Sequence, residues 1–133
     1  MESFEIKATF PVTQEELFAA WLDGEVHGEM VGAGAEINGV VGGRFSISDG
    51  YITGETVELV PNKKIVQHWR TTEFPEGAED SILEITLESS GKETTMRMVH
   101  TRIPDGQGDD YKKGWQEYYF TPMKEYFEKK ASF

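Results

Sequence analysis

Three histidines, two methionines beside one of them, and a spread of tryptophans and tyrosines are the residues of this 133-residue chain whose types suit chemistry or binding. His100 stands first. It follows Met96 and Met98 at two-residue spacing, so in a strand these three share one face while Thr95, Arg97, Val99 and Thr101 take the other. If the methionine face points inward, His100 lies among apolar groups, where burial shifts an imidazole that ordinarily titrates near neutrality and could fit it for proton transfer. No acid is placed beside it by the sequence, and a hydrogen-bonded structural histidine is the plainer reading. His27, His68 and His100 are far apart, and none pairs with another at the i, i+3 or i, i+4 spacing of helical metal sites, so no metal centre is expected. Glu25, His27 and Glu29 alternate, but in a segment read as helix or loop that spacing does not bring them together. The chain has no cysteine, which excludes disulfides, thiolate metal sites and thiol nucleophiles and suits a reducing compartment.

The remaining motifs speak for structure rather than catalysis. Gly39-Val40-Val41-Gly42-Gly43 lacks the lysine and following helix of a phosphate cradle and reads as a turn; serine nucleophile elbows and dinucleotide fingerprints are absent, and no cofactor is expected. In Trp69-Arg70, strand geometry sends a core tryptophan and a surface arginine to opposite sides. Glu73, Glu76, Glu79 and Asp80 crowd the loop around Pro75, where they are solvated or meet a basic partner. The formal charge of −11 repels phosphate backbones and anionic membranes, so nucleic acid and lipid surfaces are poor partners; the acid is spread along the chain and reads first as keeping the protein in solution, with a basic partner surface left open. No apolar run approaches the roughly 20 residues needed to span a bilayer. The start, MESFEIK, lacks the basic segment and apolar core of a secretory signal, so a cytoplasmic location is expected.

These residues need elements to position them. Phe4, Ile6, Ala8 and Phe10 alternate with polar neighbours and predict a strand ended by Pro11. Thr13 with Glu16 forms a capping box, and Val12 with Leu17 a hydrophobic staple, so a helix follows that carries Leu17, Phe18, Trp21 and Leu22 on one face and stops at Asp23-Gly24. Glu25 to Val31 adds a second short helix. Frequent glycines from Gly32 onward then mark a β meander. Arg44–Ser48 and Tyr51–Val60 flank Asp49-Gly50, which suits a two-residue hairpin turn; Lys64–Thr71, Ser81–Glu88 and Thr94–Arg102 supply further strands. From Asp109 or Asp110, either of which can cap it, a helix runs to Lys129 or Lys130 and repeats Trp115, Tyr118, Tyr119, Pro122, Met123, Tyr126 and Phe127 at spacings of three and four. Gly114 suits close packing on the sheet and Pro122 a bend. The expectation is a single α+β domain over residues 1–133, with a curved antiparallel sheet of six to seven strands, a helical insertion after the first, and the long helix laid across it.

The stretch GGRFSISDGYITGETVELVPNKKIVQHWR (42–70), with GWQEYYFTPMKEYF (114–127) and LFAAWLDGEVHGEMVG (17–32), strongly resembles the C-terminal domain family of activators of the heat-shock protein 90 ATPase. That family is part of the START-like, helix-grip superfamily. The likeness runs from Phe4 to about Phe127 and rests on the paired glycines before Arg44-Phe45, Asp49-Gly50, Gly54, Leu59-Val60-Pro61, Trp69-Arg70 and Gly114-Trp115. It implies a ligand cavity between sheet and long helix, for which Phe45, Ile47, Tyr51, Trp69, Met96, Met98, His100, Trp115, Tyr119, Met123 and Tyr126 are the candidates. Three functions are then expected in order. The first is a non-enzymatic domain holding a small apolar or amphipathic ligand, with His100 or Tyr51 as polar anchor. The second is a protein-interaction module acting on a chaperone. The third is an enzyme resembling polyketide cyclases, for which the residues supply no convincing acid–base pair. Full-length eukaryotic activators carry a separate N-terminal domain that does much of the ATPase stimulation, and no such domain is expected within these residues.

Overall fold

The computed structural model describes residues 1–131. Seven strands form one antiparallel sheet: β1 (Glu2–Phe10), β2 (Ala35–Ile37), β3 (Arg44–Ile47), β4 (Ile52–Val60), β5 (Lys64–Thr71), β6 (Ser81–Ser90) and β7 (Glu93–Ile103), in the order β1-β7-β6-β5-β4-β3-β2. Period-two patterning decides which face is covered. On β6, Leu83, Ile85 and Leu87 are buried while Glu84 and Thr86 point to the wetter side, and on β7 Met96, Met98 and His100 are fully buried. Register shifts between Glu2 and Phe4 and between Thr56 and Glu58 place irregularities that bend β1 and β4.

Two short helices, α1 (Gln14–Leu22) and α2 (Gly24–Val31), interrupt the sheet after β1. Thr13 caps α1, its hydroxyl accepting from the Glu16 amide at 3.1 Å. Asp23 ends α1 and begins α2: its amide donates to the Ala19 carbonyl, and its carboxylate accepts from the Val26 amide at 3.2 Å. Gly32 closes α2 in the left-handed conformation, φ 69°, which a glycine adopts without Cβ strain.

The hairpin turns at Asp49-Gly50 as expected, the Tyr51 amide donating to the Ser48 carbonyl at 3.2 Å across two residues of positive φ. Ile47 pairs with Ile52, so four residues, Ser48 to Tyr51, leave the ladder, and Ser48, Asp49 and Gly50 all take positive φ. The Ser48 amide donates to the Gly34 carbonyl at 2.8 Å, beside the Ala35–Ile47 pair that ends the β2–β3 ladder. Tyr51 stands just ahead of β4, its carbonyl accepting from the Thr72 amide at 3.0 Å.

The C-terminal helix crosses the sheet in three consecutive stretches, α3 (Gly108–Gly114), a π-helical stretch (Trp115–Phe120) and α4 (Thr121–Ala131). Its start is not capped by Asp109 or Asp110. The carboxylate of Glu2, on β1, accepts from the amides of Gly106 and Gly108 at 2.9 and 2.7 Å, and these bonds hold it below the usual carboxylate range. Pro122 stands just after the wider turns of the π-helical stretch. Lacking an N–H, it cannot pair with the carbonyl four residues back; the Thr121 amide and hydroxyl both reach the Gln116 carbonyl instead. Nor is Gly114 a close-packing position, since a Cβ there would meet only Tyr118 Cδ2 at 3.8 Å.

Candidate functional site

The space between sheet and C-terminal helix is filled at one end and open at the other. Phe10, Met96, Met98, Met123 and Phe127 are all almost or wholly inaccessible, and Phe10 meets Phe120 and Phe127 edge-on at 6.0 and 6.1 Å. Deeper along the sheet, Phe45, Ile47, Trp21, His27, Trp69, Trp115 and Tyr119 surround a void of about 10 Å³, room for about one water. The open end is a lateral cavity of about 160 Å³ walled by Trp69, Tyr111, Trp115, Tyr118 and Tyr119, with Tyr51, Ile52, Glu73, Asp110 and Gly114 completing it.

The aromatic walls brace one another. Trp69 stands edge-on to Tyr111 at 5.0 Å, Trp115 to Tyr119 at 4.7 Å, and Trp69 and Trp115 tilt together at 5.6 Å. The polar tips of Tyr51, Tyr111, Trp115 and Tyr119 are engaged elsewhere, whereas the Trp69 indole N–H and the Tyr118 hydroxyl have no hydrogen bond among the described residues. The Tyr111 hydroxyl donates to Gln107 Oε1 and meets Thr71 Oγ1, both at 2.6 Å. Tyr51 donates to Glu73 Oε2 at 2.6 Å; burial and then this carboxylate push its phenol up to about 12.

Two buried histidines anchor the helix from opposite sides. Trp115 Nε1–H donates to His100 Nδ1 at 3.1 Å, and because an indole only donates, the ring's proton sits on Nε2 and goes to Ser81 Oγ at 2.8 Å. Ser81 in turn donates to the Trp69 carbonyl at 2.7 Å. A serine beside a histidine is the beginning of a nucleophilic pair, but here the imidazole has no lone pair left to take the serine's proton. Burial lowers His100 to about 3, so it stays neutral. His27 repeats the arrangement. Nδ1–H donates to the Trp21 carbonyl at 2.8 Å and Nε2 accepts from Tyr119 Oη at 2.7 Å; burial lowers this ring to about 4 and raises the Tyr119 phenol.

Of the residues singled out from sequence, Tyr51, Trp69, Trp115 and Tyr119 come together around the lateral cavity. Phe45 and Ile47 line the small void and not the lateral cavity. Met96, Met98, His100 and Met123 line neither space and pack in the solid interior, while Tyr126 sits over α1, under the Lys130 ammonium at 5.5 Å. Tyr111, Tyr118, Glu73, Asp110 and Gly114 complete the wall without having been proposed for it. Tyr111 precedes Trp115 by four residues, so extending the aromatic stripe one turn back would have found it. In the acidic loop, Asp80 and the Ala78 carbonyl hold Arg70 at 2.8 and 3.0 Å, and its guanidinium lies 5.4 Å from the Phe74 ring centre. Among the described residues no cluster of histidine and carboxylate has metal-binding geometry, and no helix is long and apolar enough to cross a membrane.

An open antiparallel sheet gripped by a C-terminal helix, with two short helices inserted after its first strand, is the START-like helix-grip architecture. The chain belongs to the family described as Activator of Hsp90 ATPase homolog 1-like protein, whose model matches residues 11–128. It is 34% identical over 122 residues to Activator of 90 kDa heat shock protein ATPase homolog 1 of Homo sapiens, a match covering 92% of this chain and 36% of the relative. The Hsp90 co-chaperone AHA1 of Saccharomyces cerevisiae is 26% identical over 130 residues, with the same coverage of 92% and 36%. The chain thus spans little more than a third of these relatives. Among solved structures, an HSP90 activator from Plasmodium falciparum superposes with a TM-score of 0.80 at 29% identity, covering 91% of each chain.

Proposed function

We propose that this chain is an Hsp90-docking domain, a co-chaperone module that acts by contact rather than by chemistry. Membership of the activator family carries the reading, supported by a Plasmodium protein described as an HSP90 activator whose likeness covers 91% of both chains. The interior agrees with it: the methionine end is packed solid and the buried histidines are fully hydrogen-bonded, which leaves the surface to function. That surface carries the net charge of −11 and suits a basic face on a partner. The test is to mix the purified chain with Hsp90 from the same cell at low and at high salt, measuring complex formation by calorimetry and ATP turnover in parallel. A complex that weakens with salt and alters turnover is expected. No complex at high protein concentration overturns the proposal.

A second reading is favoured by the lateral cavity, which is of the order of the ~150 Å³ that accommodates a benzene ring. On this reading the domain holds a ring-sized group at the cavity rather than a long amphipathic molecule between sheet and helix. A raised Tm with compounds of that size supports it, and no shift across a broad panel argues against it.

A further inference from the structure

The composition of the lateral cavity sets the charge of what it holds. Two carboxylates, Glu73 and Asp110, lie on it together with the aromatic rings, and among the described residues no lysine, arginine or histidine lines it. Glu73 uses one oxygen to accept from Tyr51, while the Asp110 carboxylate has no hydrogen bond or ion pair among the described residues. The hydroxyls of Tyr51, Tyr111 and Tyr119 and the indole N–H of Trp115 are already committed, so these rings offer a ligand π surface, and the uncommitted polar tips on the lining are the Trp69 indole N–H and the exposed Tyr118 hydroxyl. A π face is negative, and it attracts a cation most strongly where water is partly excluded. Trp69 and Trp115, both nearly inaccessible to solvent, supply that dry wall; the exposed Tyr51 and Tyr118 and the two carboxylates form the rim. Drug-sized sites run to roughly 300 Å³ and more, so about 160 Å³ admits a head group and leaves the rest of its molecule outside.

We propose that the lateral cavity binds the head group of an organic cation, an alkylated ammonium or a guanidinium, against the Trp69–Trp115 wall with Glu73 and Asp110 at its rim. This rests on the second reading above, that the cavity admits a ligand, and is independent of docking to Hsp90. The same chemistry can arrive on a free small amine or on a basic side chain of a protein partner.

The test follows the intrinsic tryptophan fluorescence of the full chain during titration with choline and with its neutral isostere, 3,3-dimethyl-1-butanol. Choline is expected to bind at least tenfold more tightly. Glu73→Gln, which retains an acceptor for Tyr51, and Asp110→Asn should each weaken choline severalfold while leaving the alcohol unchanged. N-acetyl-arginine amide and N-acetyl-lysine amide distinguish the sources: tighter binding of either than of choline assigns the site to a protein side chain, and the reverse order to a free amine, with both upholding the cation. Equal or tighter binding of the alcohol overturns the charge preference while sustaining a ligand cavity. Binding of none of the probes overturns both.

Discussion

The two ends of the sheet–helix interface are built from the same kinds of residue and do different things. At the closed end Phe10, Met96, Met98, Met123 and Phe127 pack from both sides, and flexible methionines fill what the rings leave. At the open end the rings are larger and stiffer, and their polar tips are tied to fixed partners: Tyr111 to Gln107 and Thr71, Tyr119 to His27, Trp115 to His100. Rings held in place cannot collapse into the space between them, so a cavity survives. Side-chain adaptability, rather than apolar content, decides which end is solid.

Cutting into the closed end should have the largest effect. Phe127→Ala removes a ring that is 1% exposed, and is expected to lower the unfolding free energy by about 3–5 kcal/mol, read from the urea midpoint at constant m-value. A loss under about 1 kcal/mol would show that this end can collapse, and the contrast with the open end would fail.

Acid should release the helix next. The folded values of about 4 for His27 and about 3 for His100 lie below the ordinary 6.5, so under pH 6.5 the unfolded chain takes up protons that the folded chain refuses. Their contribution is therefore complete above about 6.5. It falls as pH drops through the window from 6.5 to about 4 for His27 and to about 3 for His100, and is flat below. Each ring has a limiting slope of about 1.4 kcal/mol per pH unit. Urea midpoints measured between about pH 7 and pH 5 should fall steadily, and a flat profile would mean that the rings are not held neutral.

The open end should tolerate change. Gly114→Ala adds a methyl at ordinary contact distance from Tyr118 in a helical backbone, φ −61°, so it is expected to raise stability by about 0.5–1 kcal/mol while narrowing the cavity. Thermal unfolding and choline affinity should then move in opposite directions. Smallest of all, Tyr118→Ala, at a side chain 69% exposed, should change stability by less than about 0.5 kcal/mol; a larger loss would make Tyr118 part of the core rather than the rim.

Much of this was legible before the fold was known. The period-two runs that became β1, β6 and β7 have one wet face, and alternation is a property of local geometry, so their faces were readable. Thr13 and Asp23 announce helix boundaries because a cap is a bond between residues three apart. Glu2 was not readable as the partner of the C-terminal helix, because its carboxylate reaches Gly106 and Gly108 from the far end of the chain. His27 looked like part of an alternating acidic segment; its actual partners, Trp21 and Tyr119, lie on two other elements.

The sequence by itself determined the sheet with its covered face, the inserted helices, the aromatic stripe of the last helix and the family to which those identities belong. Tertiary structure decided which members of that stripe stand around open space. Helical spacing fixes which residues share a face, but whether a neighbour fills the gap beside them depends on distances across the fold. The π-helical turns ahead of Pro122, the bond from Tyr51 to Glu73, and hydrogen bonds from β7 and α2 together set those distances. They leave Trp69, Trp115 and Tyr119 beside a cavity, while Met96, Met98 and Met123 lie in solid core.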